Sequence, residues 1–201
     1  MNEKFIITVG RQLGSGGRII AKEVARILGI SFYDKELIQR VSVESGVSSK
    51  FFEKADESVN PALTGGLLTE FFQDVFLSNE SLFQMQSDVI RKIAETESAV
   101  FVGRCADYVL RDHPRAVHLF ISANLEDRIE KVAKYQEISH DKSLTLIEKT
   151  DKKRASFYNY YSNKSWGAAK SYDLCINTSA LGMDATTGYV LDFVREKLGL
   201  E

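Results

Sequence analysis

Cysteine and proline are scarce in this chain, with two of each in 201 residues, and the scarcity excludes several architectures. Cys105 and Cys175 lie far apart, each bordering or within an expected buried strand, so they read as reduced core thiols and not as a disulfide framework. Pro61 and Pro114 sit in no Ser- or Gly-rich linker and mark no domain boundary, and no repeat recurs at solenoid spacing. No apolar run approaches the roughly 20 residues of a membrane-spanning helix, and Met1 to Val9 lacks the layout of a secretion signal. Charge of one sign is missing too: 26 Lys and Arg against 28 Asp and Glu leave a net charge of -2, which argues against a broad footprint on nucleic acid or membrane. The three histidines, His113, His118 and His140, have no metal-ligand spacing with one another or with the cysteines, so no metal site on the protein is expected. The expectation is a single cytoplasmic domain, residues 1–201, with no nucleic-acid or membrane partner.

What the chain does have is alternation. Its 44% hydrophobic and 27% charged residues match the globular average, and the apolar residues gather in short runs. Phe5 to Val9 is β-rich; after a glycine cluster, Ile20, Val24, Ile27 and Leu28 recur at helical spacing within about Arg18 to Leu28, and Gly29 stops that helix. Further strands are expected at Ile30–Tyr33, Ala99–Val102, Ala116–Ile121 and Asp173–Ile176. Helices lie between them: Lys35–Ser45, one capped by Asn124 and Asp127 that runs to about Glu137, and Ala185–Leu198. This is the α/β pattern of a five-stranded parallel sheet covered on both faces. The stretch from about 46 to 97 is too long for one crossover and reads as a helical cap insertion. Its Phe71, Phe72, Val75 and Phe76 form either the cap's own core or the surface of a homodimer. Ligands of such sheets bind beyond the carboxyl ends of the strands, which directs attention to the segments after Val9, Tyr33, Val102 and Ile121.

The first of these is Gly10-Arg11-Gln12-Leu13-Gly14-Ser15-Gly16-Gly17-Arg18. Four glycines between a strand and a helix let backbone N–H groups fold around an anion, and the helix N-terminus adds its dipole, so Gly14, Ser15, Gly16, Gly17 and Arg18 are expected to cradle phosphate. The strict Gly-x-x-x-x-Gly-Lys-Ser/Thr loop is nevertheless absent: Gly17 stands at the lysine and Arg18 at the hydroxyl position. Arg11 or Arg18 is left to supply the positive charge and Ser15 a hydroxyl. The same glycines also fit a short-chain dehydrogenase, with Asp34 as ribose acid and Tyr160-x-x-x-Lys164 as its catalytic pair. Against that, only 37 residues follow Lys164 and Ile19 replaces the third glycine.

Charge recurs at the other strand ends. Asp34 and Arg40 follow the second strand, Gly103-Arg104-Cys105-Ala106-Asp107 follows the third, and Arg128 lies on the helix after the fourth. A basic stretch, Lys149, Lys152, Lys153 and Arg154, leads into Tyr158, Tyr160 and Tyr161. Phosphoryl transfer is chiefly positioning and stabilisation of spread negative charge, so it calls for such arginines and for no protein nucleophile.

Taken in order, Ile6-Ile7-Thr8-Val9, Gly14-Ser15-Gly16, Ala21-Lys22, Asp34 with Arg40, Gly103-Arg104, Glu126-Asp127-Arg128 and Asp151-x-x-Arg154 resemble bacterial cytidylate kinases. They resemble more closely the cytidylate kinase-like proteins with Arg-Gln-x-Gly-Ser-Gly-Gly in place of the Walker lysine. The resemblance implies a three-layer P-loop NTPase-like fold and ATP-dependent phosphorylation, with Mg²⁺, of a nucleoside monophosphate such as CMP or dCMP. It implies that the glycine turn holds ATP and that Asp34, Arg40, Arg104, Asp107 and Lys153 face the acceptor. Arg11, Arg18, Arg128, Asp151 and Arg154 would serve catalysis, the last two on a lid of about 138–170. Cys105 stands where cytidylate kinases have the aspartate that reads the cytosine amino group, and a thiol does not replace a carboxylate acceptor. A chain that kept the fold but lost turnover with the lysine would instead be a nucleotide-binding regulatory module.

Overall fold

The computed structural model describes residues 4–34 and 79–200. Arg40, the helix expected at Lys35–Ser45, the four cap residues named above and the expected cap as far as residue 78 lie outside the described residues.

Five strands, β1 (Ile6–Arg11), β2 (Ser31–Tyr33), β3 (Ala99–Val102), β4 (Ala116–Ser122) and β5 (Leu174–Asn177), form one parallel sheet in the order β2-β3-β1-β4-β5. Alternation along β1 sends successive side chains to opposite faces. Ile7 and Val9 join a core with Ile20, Val24, Val190 and Val194, supplied by α1 (Gly17–Leu28) and α6 (Thr178–Leu198). Ile6 joins the opposite core with Val89, Ile90, Phe101 and Val109, supplied by α2 (Asn79–Thr96), β3 and the short α3 (Ala106–Val109). Two further helices, α4 (Leu125–Gln136) and α5 (His140–Ser162), follow β4 and pack on each other. Among the described residues no helix is long and apolar enough to cross a membrane.

Among the described residues the expected strands and helices are present, with four corrections. β1 runs two residues past Val9 because β4 offers pairing partners, Phe120 and Ile121, opposite Gly10 and Arg11. The last helix begins at Thr178, where the Asn177 side chain accepts from Ser179 N–H at 2.9 Å, and breaks at Gly182 with φ 77°. Asn124 occupies the N-cap of α4 without a side-chain cap; its Oδ1 accepts from Asn177 Nδ2 at 2.9 Å instead. Cys105 is a buried thiol as expected, but Cys175 is exposed, because β5 is an edge strand.

Candidate active site

β1 delivers Arg11 to the carboxyl edge of the sheet, and the chain then turns through residues 12–16 into the N-terminus of α1. Neighbouring elements hold this turn at successive residues. Gln12 N–H donates to the Ile121 carbonyl (3.1 Å), and Gln12 Oε1 accepts from Ala123 N–H (3.2 Å). Leu13 N–H donates to Asp151 Oδ1 (2.9 Å) while its carbonyl accepts from Arg128 Nε (2.7 Å), and Arg128 Nη2 pairs with Asp151 Oδ2. Ser15 is fully buried: its Oγ donates to the Gln12 carbonyl (2.9 Å) and accepts from Gly17 N–H (3.3 Å), and Thr178 Oγ1 donates to its carbonyl (2.9 Å). Among the described residues the N–H groups of Gly14, Gly16 and Arg18 donate to none of these acceptors, which leaves backbone donors at a helix N-terminus, the arrangement that binds anions. Gly14 has φ 80°, and a Cβ on it would meet the Arg128 carbonyl oxygen at 2.9 Å. Both conformation and packing therefore require glycine there.

Five of the residues expected at the site, Ser15, Arg18, Asp34, Arg128 and Asp151, have partners within the protein. Ser15 Oγ, expected to be available to a nucleotide, is used inside the turn. Arg18, expected on phosphate, donates through Nε (2.9 Å) and Nη2 (2.5 Å) to Asp34 Oδ2, with its guanidinium over the Phe32 ring. Asp34, expected to face an acceptor, is thereby engaged at the end of β2. Arg128 and Asp151, expected in catalysis, form a pair whose side chains are 6% and 15% exposed and which grips both polar groups of Leu13. That geometry makes them the clamp that shapes the turn.

Beside the turn, a cavity of about 300 Å³ opens at the carboxyl ends of β1 and β3. Arg11 ends β1, Arg104 and Cys105 follow β3, α3 contributes Asp107, and α5 contributes Lys153, Arg154, Phe157 and Tyr158. Gly103, Arg104 and Cys105 are three consecutive left-handed residues, with φ 79°, 58° and 55°. Such backbone costs about 1–3 kcal/mol per non-glycine residue and persists where the surroundings enforce it. The Arg104 guanidinium lies 5.7 Å from the centre of the Phe157 ring, and neither it nor that of Arg11 forms an ion pair within 4 Å among the described residues. Burial lowers the pKa of Arg104, and brings that of Arg11 down to about 9, helped by the nearby charges of Arg154 and Arg104 and only partly opposed by Asp34. Arg154 is likewise lowered by burial; its Nη1 donates to the Arg11 carbonyl (3.1 Å) and to Asp151 Oδ1 (3.4 Å). Crowded, desolvated positive charge favours an incoming anion.

Asp107 is the carboxylate of this cavity. It is buried, its Oδ2 accepts from Tyr158 OH at 2.7 Å, and burial raises its pKa above the ordinary carboxylate value. The same burial, with Asp107 alongside, pushes the Cys105 thiol up to about 12, so it is a neutral thiol at physiological pH. Tyr158, read from the sequence only as following the basic stretch, lines the cavity. The signal was available: Asp151, Arg154 and Tyr158 recur at i, i+3 and i+7, which puts them on one helical face. Gln12 and Thr178 carry no such signal, because their roles arise from contacts between distant segments.

The dehydrogenase reading fails on the same geometry. Tyr160 is 69% exposed, and its hydroxyl donates to Glu80 Oε1 at 2.8 Å, away from the cavity, while Asp34 is bound to Arg18. His118 pairs through Nδ1 with Thr8 Oγ1 at 2.8 Å inside the sheet. Among the described residues no cluster of three His, Cys, Asp or Glu side chains could hold a metal ion.

A five-stranded parallel sheet with a glycine turn between its first strand and first helix defines an α/β protein of the P-loop NTPase fold. Within that class the chain belongs to the cytidylate kinase-like family, whose model matches residues 6–180. A cytidylate kinase of Pyrobaculum calidifontis is 21% identical over 190 residues, which cover 94% of this chain and 92% of that protein. The crystal structure of an uncharacterized protein from Eubacterium ventriosum is similar with a TM-score of 0.75 and 27% identity, covering 95% of this chain and 98% of that one. A shikimate kinase from Bacteroides thetaiotaomicron shares the fold, with a TM-score of 0.54 at 16% identity over 98% and 99% of the two chains.

Proposed function

We propose that the protein is a nucleoside monophosphate kinase that transfers the γ-phosphoryl group of ATP to CMP or dCMP. The observation that carries this reading is the cavity itself: Arg11, Arg104, Arg154 and Lys153 converge beside the glycine turn, and a carboxylate, Asp107, lies in the same cavity. The turn's backbone donors suit the ATP phosphates. Arg104 and Lys153 suit the acceptor's phosphate. Asp107, with one oxygen taken by the Tyr158 hydroxyl, keeps the other as acceptor for an exocyclic amino group and replaces the carboxylate missing at Cys105.

In the transfer, an oxygen of the acceptor phosphate forms a bond to the γ-phosphorus as the bond to the β,γ-bridging oxygen breaks, and ADP leaves. No protein nucleophile takes part. Arg154 and Lys153 project from α5, and closure of segment 138–170 as a lid would exclude water and complete the cationic surround. Asp34 and Ser15 are used elsewhere, so Mg²⁺ would be held chiefly by the ATP phosphates and water, where it neutralises phosphate charge.

The test is ADP formation from Mg-ATP with a panel of nucleoside monophosphates that includes CMP and dCMP. A cytidine acceptor should be preferred, and Arg104→Ala should lower its kcat/KM about 10²- to 10³-fold. ATP binding without product from any acceptor would support the regulatory-module reading and sink this one.

A further inference from the structure

The turn departs from the strict Gly-x-x-x-x-Gly-Lys-Ser/Thr loop at two positions that touch each other. Counted back from Gly16, the strict pattern begins with a glycine where this chain has Arg11, and it has lysine where this chain has Gly17. A Cβ on Gly17 would lie 2.7 Å from the Cβ of Arg11 and 2.9 Å from the Cβ of Ile121. The stem of Arg11, together with the Cβ of Ile121, thus occupies the room that a side chain at position 17 would need. From there the arginine crosses to the end of β3, where a Cβ on Gly103 would collide with its Nη1. Glycine at 17 and at 103 clears the path of this one side chain. Its guanidinium lines the cavity with Arg104 and Arg154 and donates no hydrogen bond among the described residues. Arg18, the other candidate for the lysine's role, is committed to Asp34.

We infer that Arg11 carries, from the end of β1, the positive charge on the transferring phosphate that the strict loop's lysine carries from the start of the helix. A glycine–lysine pair has been exchanged for an arginine–glycine pair in one place. The exchange matters chemically because guanidinium offers several donors in a plane, and Arg11 reaches from the phosphate turn into the acceptor cavity. One group can therefore touch donor and acceptor phosphates together. The inference rests on the ATP-dependent kinase reading.

The experiment measures binding of Mg-ATP and of adenosine by calorimetry, with melting curves, for the unaltered protein, Arg11→Gly, Gly17→Lys and the double exchange. Arg11→Gly should weaken ATP about 10- to 100-fold, the worth of a charge-assisted contact, and leave adenosine unchanged. Gly17→Lys alone should also weaken ATP, because its stem meets that of Arg11. The double exchange restores the strict pair and should recover at least tenfold over Arg11→Gly. If an exchange variant does not melt cooperatively, Arg11→Met, which keeps the stem and drops the charge, should show the same selective loss of ATP. Unchanged ATP affinity in Arg11→Gly or Arg11→Met, or a folded double exchange no better than Arg11→Gly, overturns the inference alone. An unaltered protein that binds no ATP overturns the kinase reading and the inference together.

Discussion

Arg128 and Arg104 stand at the same charged edge of the sheet, yet they meet opposite surroundings. Arg128 is buried against Asp151 and the Leu13 carbonyl, with its charge matched and its donors engaged. Arg104 lies over an aromatic ring at the wall of a cavity, near Arg11, whose pKa burial lowers and which forms no ion pair among the described residues. The first arrangement fixes a shape, whereas the second leaves binding capacity unspent. The difference explains why a chain with as many acids as bases can carry a site specialised for anions. Asp151 holds the glycine turn and Asp34 holds Arg18, whereas among the described residues Arg11 and Arg104, which face the cavity, form no ion pair.

The largest effect should therefore come from breaking the matched pair. Arg128→Ala takes the main ion-pair partner from Asp151, which is 15% exposed and keeps Leu13 N–H and Arg154, so the loss should fall at or below the cost of breaking a buried pair, about 3–5 kcal/mol. Urea unfolding should show that loss; a stability within error of the unaltered protein would mean the pair does not hold the turn. A smaller effect follows from the carboxylate inside the cavity. Burial raises the pKa of Asp107 in the folded protein. As pH rises from the ordinary carboxylate range towards that raised value, the unfolded chain releases a proton that the native state keeps, so stability is lost across that interval. Asp107→Asn has no such loss. Its melting temperature should gain on the unaltered protein as pH rises from about 4 towards neutrality, with no gain below that interval. A difference constant with pH would contradict the assignment.

Much of this was legible in the sequence, and the reasons for the failures are specific. Short apolar runs separated by helical periodicity located all five strands, and the glycines located the turn. The end of β1 was misplaced because Gly10 and Arg11 are poor strand formers on their own, and pairing with Phe120 and Ile121 overrides that. Arg128 and Asp151 were identified as site residues, but their clamp on Leu13 joins segments distant in the chain, and no local pattern encodes it. Arg11 and Arg18 were indistinguishable in the sequence, seven residues apart around one glycine cluster. Only the packing at Gly17 and the position of Asp34 separate them.

Under the proposed function, Arg11 and Arg104, which form no ion pair among the described residues, serve the reaction and not the fold. That claim is tested most directly on one sample of Arg104→Ala, by recording its melting temperature together with its rate of acceptor-dependent ADP formation. The account predicts a melting temperature equal to or above that of the unaltered protein, because a desolvated unmatched charge has been removed, with a rate at least about 100-fold lower. A lowered melting temperature, with a rate that falls only as the folded fraction falls, would contradict it.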